Sequence, residues 1–494
     1  MAGGGRLNIP LLSDTIVPSE QKSVSFRDPA GQLFRAGDRI LRVIDKSACS
    51  TLEAFLASKA AAQFSKAGMF VQSRPLELDE ARRVLSAARI DLLEREIETV
   101  LEHERILFPS FPYEWPPEML AAAGNLTLDI AETLIEEGFG LKDATPYNVL
   151  FRGPRPVFVD ILSAEPRDPN DPTWLPYAQF VRTFVLPLVA HRFCGVPLSA
   201  HTAGSRDGIE PEKVYRLLSF FARLRSPALT HVTLPTWLAK RTCSSNAAIY
   251  CKKSTRNPSQ ARFVLRSMFR TLRRSLKKAA GPQQVSRWTQ YVESHSYSAQ
   301  AFETKRIFVE RALTDFPAPW VLDMGCNTGF YSVIAAKKRS CVVAIDSDPS
   351  VVGALWSKAS HDGLDILPLV VDLARPSPAT GWRNQECPSF LERCRGRFDA
   401  VLMLAFVHHL MATEGIPLSE IFRLGKDLTR NLLLVEYIDP ADPMFKQLVR
   451  GREALFQNLT REAFEASGRR FFDIVRSQQL GTTRYLYVLA KKKL

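Results

Sequence analysis

The stretch 320–350 constrains the fold of this chain more than any other feature. An apolar run breaks into the glycine-bearing turn 325–329, and a helical pattern starts near Phe330. A second apolar run, 341–345, ends abruptly at Asp346. A strand, a glycine-bearing turn, a helix and a strand that ends in an acid form the first half of a doubly wound nucleotide-binding sheet. The sequence therefore predicts an α/β domain here.

The residues around this turn predict a ligand site. Gly325 and Gly329 lack a Cβ and let the backbone approach a ligand closely. The helix that starts near Phe330 directs its free N–H groups toward the same place. Asp346 lies at the carboxyl end of a strand, where a carboxylate can accept hydrogen bonds from both hydroxyls of a ribose. Asp323, just before the first glycine, suits an ammonium group better than a pyrophosphate.

This pattern resembles the AdoMet-binding signature of class I methyltransferases, whose usual form is D-x-G-x-G-x-G. Asn327 replaces the middle glycine. Three residues separate Gly325 from Gly329, one more than the dinucleotide pattern G-x-G-x-x-G allows between neighbouring glycines. The resemblance implies S-adenosyl-L-methionine (AdoMet) as the cofactor, with Asp372 accepting from the adenine amino group and Leu373 packing on the ring. The other interpretation is a structural βαβ unit whose loop binds no ligand. The predicted cofactor-binding residues are Asp323, Gly325, Asn327, Thr328, Gly329, Phe330, Asp346, Asp372 and Leu373.

The segments after this unit predict the rest of a sheet. The apolar run that ends at 372 predicts the third strand, 398–410 the fourth strand with its loop, and 431–440 the fifth. The segments 471–480 and 483–493 predict a closing pair. A terminal antiparallel strand is typical of the resembled fold. We therefore predict a doubly wound, seven-stranded, Rossmann-like methyltransferase domain over 286–494.

Two histidines follow the predicted fourth strand, where the transferable methyl group would face the substrate. Methyl transfer is an in-line displacement, so a base is required only if the acceptor keeps its proton at neutral pH. His408 and His409 are the best candidates for that base, and their alternative role is to cap a helix and shape the pocket. Glu436 and Asp439, after the fifth strand, are lesser candidates as substrate ligands.

The whole chain limits the class of protein. A length of 494 residues predicts two or three domains, and 46% hydrophobic with 24% charged residues is normal for a globular protein. The eight cysteines have no spacing typical of a metal site, so we expect no metal. The start of the chain lacks the apolar core of a signal peptide, and the longest apolar run, 184–190, is too short to cross a membrane. These features predict a cytoplasmic protein with no transmembrane segment.

The net charge of +13 has a local origin. No Asp or Glu lies between Glu212 and Glu293, and thirteen Lys and Arg lie between His231 and Gln290. The run 262–278 predicts an amphipathic helix with Leu265, Phe269, Leu272 and Leu276 on one face. Three interpretations are open: a helix packed between domains, a binder of anionic lipid, and a nucleic-acid-binding arm.

The N-terminal part predicts a flexible arm over 1–25, an α+β accessory or substrate domain over 26–230 and a basic helical connector over 231–285. Within the α+β domain, the region 81–106 predicts one or two helices. Asp143 and Asn148, with Asp160 at the end of an apolar run, resemble the catalytic loop and metal-binding Asp of kinase-like phosphotransferases. Leu141 stands where such proteins have His, and 161–162 is Ile-Leu where they have Phe-Gly.

A second resemblance covers most of the chain. The segments LKDATPYNVLF, PVFVDILS and WLPYAQFVRTFVLPL, together with VLMLAFVHHL and LLLVEYIDPADPMFKQLVRGREALF, resemble the NoeA-like nodulation proteins. This implies a methyltransferase. We expect methyl transfer to a small-molecule or saccharide-type acceptor that is anionic or polar. The alternatives are a bifunctional protein with a kinase-like phosphotransferase domain, and a nucleic-acid methyltransferase that uses the basic connector. Nucleic acid is not the favoured partner, because the chain shows no RNA-binding module.

Overall fold

The computed structural model describes residues 23–25, 27–87, 97–241, 254–281 and 299–492. These residues form two compact units, one within 1–49 and 73–105 and the other within 50–72 and 106–494. Most of the predicted arm, and the lead-in 286–298 of the predicted methyltransferase domain, lie outside the described residues. The domain boundaries at 25, 230 and 285 stay a prediction.

The strands and helices have the following bounds. The strands are β1 (Ser23–Ser25), β2 (Gly31–Ala36), β3 (Arg39–Asp45), β4 (Ser73–Pro75), β5 (Ile97–His103), β6 (Phe139–Leu141), β7 (Val149–Arg152), β8 (Arg155–Phe158), β9 (Ala164–Pro166), β10 (Trp320–Met324), β11 (Cys341–Asp346), β12 (Ile366–Val370), β13 (Phe398–Met403), β14 (Thr429–Ile438), β15 (Phe472–Leu480) and β16 (Arg484–Lys491). The helices are α1 (Lys46–Leu56), α2 (Lys59–Ala67), α3 (Leu78–Ala87), α4 (Pro117–Glu136), α5 (Tyr177–Phe180), α6 (Leu186–Cys194), α7 (Leu198–Thr202), α8 (Pro211–Leu217), α9 (Phe220–Arg223), α10 (Leu234–Arg241), α11 (Pro258–Ala280), α12 (Ala299–Asp315), α13 (Phe330–Lys337), α14 (Pro349–Asp362), α15 (Phe390–Cys394), α16 (Val407–Ala412), α17 (Leu418–Leu428), α18 (Pro443–Leu448) and α19 (Arg461–Arg469).

The first unit is an antiparallel sheet in the order β1-β2-β3-β5-β4. Apolar side chains of the sheet and of α3 pack into one core, which includes Leu41, Leu85 and Val100. The prediction of only helices over 81–106 is wrong for its last part, because β5 pairs with both β3 and β4. The run Ile97-Glu-Thr-Val-Leu contains three β-branched residues, which suit a strand between two others.

The second unit contains a sheet whose seven described strands run in the order β12-β11-β10-β13-β14-β16-β15. The first five strands are parallel, and β16 runs antiparallel between β14 and β15. The order reverses between β10 and β13, so a crevice opens there at the carboxyl ends of the strands. The predicted doubly wound, seven-stranded fold is confirmed, including the antiparallel closing pair.

The basic helix α11 is a packed element. Its apolar face, which includes Leu265, Phe269 and Leu276, is buried and lies against α4 and α6. Two of its arginines form ion pairs with carboxylates of α4, Arg266 with Glu136 at 2.9 Å and Arg273 with Glu132 at 2.9 Å. This packing favours the first of the three interpretations for the apolar face of the helix. None of the described helices has the length and apolarity that a membrane crossing requires.

A buried ion pair joins the segment before α4 to the seven-stranded sheet. The guanidinium of Arg393, on α15, donates to the carboxylate of Glu114 and to the carbonyl of Pro109 at 2.7 Å. Both charged side chains are almost fully buried, and the guanidinium also lies over the ring of Phe108, which packs against Phe398 of β13. A buried charge needs such partners, because water no longer solvates it. The N-terminal segment is therefore held to the sheet by a specific, charged contact.

We expect Arg393→Met to lower the free energy of unfolding by about 3–5 kcal/mol, because Glu114 would stay buried without its cation. Arg206→Met is the matched control, since Arg206 forms a partly exposed ion pair with Glu386 at 2.9 Å. In that control the free energy of unfolding should fall by only about 0–1 kcal/mol. Urea unfolding of both variants measures the difference, and equal small losses would show that the buried pair does not hold the segment.

Candidate active site

The loop after β10 forms the centre of the site. The N–H groups of Gly325 and Cys326 both donate to the carbonyl of Ile345 on β11, at 2.9 and 3.0 Å. The N–H of Gly329 donates to the carbonyl of Cys326 at 2.9 Å, and α13 begins one residue later. These bonds fold the loop back over the ends of the two strands, as the sequence predicts for a ligand-binding turn.

Two glycines of the loop have a steric role. Gly325 and Gly329 have φ angles of +70° and +77°, which side chains with a Cβ rarely adopt. A Cβ on Gly325 would lie 2.6 Å from the ring of Phe406, and a Cβ on Gly329 would lie 2.3 Å from Leu355. The predicted reason for these glycines was close approach to a ligand. The structure adds a second reason, which is close packing of neighbouring side chains. Asn327 also has a positive φ, of 50°.

Asp346 stabilises the loop from the end of β11. One of its carboxylate oxygens accepts from the N–H of Asn327 at 3.0 Å, and the other accepts from the N–H of Asp348 at 3.1 Å. Each oxygen keeps a second acceptor position, which a ribose hydroxyl can use. Burial raises the pKa of Asp346, whereas these two N–H groups lower it. Asp346 thus lies beside the turn, as predicted.

Asp323 is buried directly below the loop. Its carboxylate accepts a hydrogen bond from the hydroxyl of Ser332, in the first turn of α13, at 2.6 Å. Burial raises the pKa of Asp323 to about 6, although Ser332 and the nearby ammonium of Lys305 lower it. A cationic ligand in the loop above would favour the charged form of this acid.

The predicted adenine-binding residues lie at the end of β12. The N–H of Val371 donates to the carbonyl of Asp346 at 2.9 Å, which brings the two strand ends together. The carboxylate of Asp372 forms an ion pair with Arg375 at 2.7 Å and accepts from the N–H of Ala374 at 3.0 Å. Leu373 is buried. Asp372 therefore already has partners, and its role toward adenine stays a prediction.

His408 and His409 lie in the first turn of α16, directly after the loop that contains Phe406. Their ring centroids are 4.2 Å apart. The Nδ1 atom of His408 is buried and has no hydrogen-bond partner among the described residues. Burial, and then the neighbouring His409 and Arg484, hold the pKa of His408 well below its ordinary value. Burial also lowers the pKa of His409, so both rings are neutral at pH 7.

A network of buried charges lies beside the histidines, and the sequence reasoning missed most of it. Lys305 of α12 donates to Glu436 of β14 at 2.7 Å, and Arg484 of β16 lies 3.9 Å from the same carboxylate. Arg484 also donates to Asp442 at 2.8 and 3.1 Å. Burial alone would lower the pKa of Lys305, but Glu436 and Tyr331 together outweigh that effect and raise it. Likewise Arg484 holds the pKa of Asp442 below its ordinary value, against the effect of burial.

These residues stand between six and 179 positions apart, so no local pattern could reveal the network. Glu436 was predicted as a substrate ligand, and in the structure it is fully buried among cations. The other candidate, Asp439, accepts from the hydroxyl of Tyr437 at 3.0 Å. The roles of both toward a substrate stay predictions.

The kinase-like residues come together in the second unit. Asn148 and Ser163 both donate to the carboxylate of Asp143, at 2.7 and 2.9 Å. Burial, and then the nearby Asp160, raise the pKa of Asp143. Among the residues that the structure describes, no group of three or more His, Cys, Asp and Glu side chains is arranged to hold a metal ion. The phosphotransferase alternative stays a prediction.

Comparisons with known proteins show what the chain is similar to. The chain is 29% identical over 473 residues to the nodulation protein NoeA of Rhizobium meliloti (strain 1021), which covers 95% of this chain and 96% of that protein. No family model matches the chain. Among solved structures, the N-methyltransferase NodS of Bradyrhizobium japonicum WM9 is 12% identical, with a TM-score of 0.31, over 40% of this chain and 99% of that one. The magnesium protoporphyrin IX methyltransferase ChlM of Synechocystis PCC 6803 is 19% identical, with a TM-score of 0.30, over 43% and 90%.

The strand order and the loop after β10 decide the classification. The second unit contains a sheet with the topology of the predicted class I methyltransferase fold. The resemblance to NoeA along almost the whole chain is confirmed. The residues of the methyltransferase domain fit the cofactor, because the loop, the start of α13 and the carboxylate of Asp346 meet at the carboxyl ends of β10 and β11. The assignment of each cofactor-binding residue stays a prediction.

We expect Gly325→Ala to abolish AdoMet binding by the full chain, because its Cβ would displace Phe406 and the loop. Gly363→Ala is the matched control, since Gly363 has a similar φ of +66° but no atom within 4 Å of a built Cβ. The control carries the same backbone strain, about 1 kcal/mol, and should bind AdoMet normally. Calorimetric titration of both variants compares them. Equal affinities would contradict the role of the loop.

We expect the affinity for AdoMet to rise as the pH rises from about 5 to about 7, because Asp323 ionises in that range and AdoMet is cationic. Below a pH of about 6 the buried carboxyl of Asp323 is neutral, and above that pH it is charged. The affinity for a cation therefore rises with pH. Asp323→Asn should remove this pH dependence. Asp362→Asn, at an exposed position, should retain it. An unchanged rise of AdoMet affinity with pH in Asp323→Asn would contradict the prediction.

Proposed function

We propose that the protein transfers a methyl group from AdoMet to a small polar acceptor that keeps its proton at neutral pH, such as a saccharide hydroxyl. The observation that supports this most is the position of His408. Its neutral ring lies two residues beyond Phe406, which packs directly on Gly325 of the loop. This packing supports the proposal that His408 is the proton acceptor beside the predicted cofactor site.

The cofactor would be held by residues already described. The loop backbone and the start of α13 would bind its amino-acid part, Asp323 would balance its positive charge, and Asp346 would accept from the ribose. When bound, AdoMet supplies an activated methyl group on a sulfonium, and positioning then accounts for most of the rate. The protein has to bring an acceptor atom into line and remove its proton.

His408 suits removal of that proton. Its buried Nδ1 atom has no hydrogen-bond partner among the described residues, so it is able to accept one. Its lowered pKa keeps the ring neutral, and therefore able to accept a proton, at pH 7. The contact between the rings of His408 and His409 restricts the orientation of both. His409 is the second candidate on the same turn.

The buried charges beside His408 favour a polar acceptor. Glu436 lies near the carboxyl end of β14, and Arg484 is the first residue of β16. Lys305 lies on α12, and Asp442 directly precedes α18. Fixed charges in a site that excludes water interact strongly with polar groups, and they disfavour an apolar molecule. A hydroxyl-rich or anionic acceptor satisfies such surroundings better. The nucleic-acid alternative has no comparable observation within the site.

We expect His408→Gln to lower kcat by about 10²–10⁴ while AdoMet affinity and the melting temperature change little. His361→Gln, at an exposed position of α14, is the control and should leave all three unchanged. In the unmodified protein, kcat should stay constant from about pH 8 down to about pH 6, because the pKa of His408 is depressed.

Two results would contradict this role. A joint loss of stability and AdoMet binding in His408→Gln and His409→Gln would show that the pair is structural. A fall in kcat with a midpoint near 6.5, the ordinary pKa of histidine, would show that the base is not the buried ring.

A further inference from the structure

A cluster of exposed apolar side chains lies in the region that lacks acidic residues. The described part of the chain exposes sixteen large hydrophobic side chains, and nine of them fall between positions 217 and 264. Phe221, Phe263 and Phe220 are the most exposed of the nine, at 75%, 70% and 67%. The apolar-basic surface is defined by Leu217, Phe220, Phe221, Leu224, Leu234, Trp237, Leu238, Phe263 and Val264.

The elements that carry this surface contact one another. The π-helical turn Leu229–Thr233 packs against α8, α9 and α10, which bear seven of the nine side chains or flank them. His231 of that turn and Phe263 with Val264 of α11 line one open cavity of about 310 Å³. The nine side chains therefore belong to one group of packed helices. Large exposed apolar patches usually mark an interaction site.

Packing of α11 does not account for the exposed side chains. The face of α11 that contains Leu265, Phe269 and Leu276 is buried against α4 and α6. Phe263 and Val264 point elsewhere, and they remain exposed at 70% and 44%. The surface is thus additional to the apolar face that the sequence predicts for this helix.

The charge of the region is entirely positive. No Asp or Glu occurs between Glu212 and Glu293. Exposed cations without a described carboxylate partner accompany the apolar side chains, among them Arg216, Arg225, Arg270 and Arg274. Apolar groups on a segment whose own charged residues are all cations complement a surface that is apolar below and anionic above, which is the chemistry of an anionic bilayer.

The composition favours lipid over nucleic acid. Proteins that bind single strands stack bases on aromatic rings, and aliphatic side chains contribute little to such stacking. Five of the nine side chains are aliphatic: Leu217, Leu224, Leu234, Leu238 and Val264. Leucine together with phenylalanine and tryptophan is typical of helices that enter the interface of a bilayer.

We infer that the apolar-basic surface docks the protein reversibly on an anionic phospholipid membrane. Phe220, Phe221 and Trp237 enter the headgroup region, and the surrounding Arg and Lys contact lipid phosphates. The inference does not depend on the methyl acceptor. It places the enzyme at a membrane surface.

The test is sedimentation of the full chain with vesicles of phosphatidylcholine and phosphatidylglycerol, compared with vesicles of phosphatidylcholine alone. Binding should be at least about tenfold stronger to the anionic vesicles. The double variant Phe220→Ser, Phe221→Ser should lower the partition coefficient about tenfold or more, because two large apolar side chains no longer enter the interface. Leu455→Ser is the matched control, since Leu455 is also 75% exposed but lies in the methyltransferase domain. AdoMet titration checks that each variant is folded.

The inference is overturned if the anionic vesicles do not bind the protein, or if the control weakens binding as much as the double variant. It is also overturned if RNA or DNA, and not vesicles, binds in a manner that depends on Phe220 and Phe221. A stable dimer that the double variant dissociates, with no vesicle binding, would assign the surface to a second copy of the chain.

Discussion

The hydrogen bond from the N–H of Asn327 to the carboxylate of Asp346 is the interaction on which the site depends. It joins the turn after β10 to the end of β11, so that the backbone that would face a cofactor and the acid that would bind its ribose are placed by one contact. Asp346 also accepts from the N–H of Asp348, which starts α14. One carboxylate therefore fixes the start of α14 and the turn. The glycines at 325 and 329 allow that turn because their φ angles are positive and their neighbours pack closely.

The N-terminal part of the second unit makes specific contacts with the methyltransferase domain. Arg393 and Glu114 are buried together, and the indole N–H of Trp356, on α14, donates to the carbonyl of Pro154 at 2.9 Å. Helix α14 directly follows the strand that ends in Asp346. A change in the N-terminal segment can therefore reach the cofactor loop through α14.

Local patterns predicted what depends on local sequence. The strands of the methyltransferase sheet, the turn 325–329 and Asp346 all follow from apolar runs and glycines within about one βα unit, and the structure has them there. Strand β5 was mistaken for helix, because a run of Leu, Glu and Arg has helical propensity while its pairing with β3 is a tertiary effect. The ion pairs of Lys305 and Arg484 could not be predicted, since their partners are distant in sequence. The burial of His408 depends in the same way on Phe445, from a later helix.

The central claim is that the loop after β10 and Asp346 bind AdoMet. Calorimetric titration of the full chain with S-adenosylhomocysteine tests it most directly, because that product has the same adenosine and amino-acid groups without the reactive methyl. The account predicts saturable binding at one site per chain, lost in Asp346→Ala and unaffected by an excess of ATP. No saturable binding in the unmodified protein, or unchanged affinity in Asp346→Ala, would contradict it.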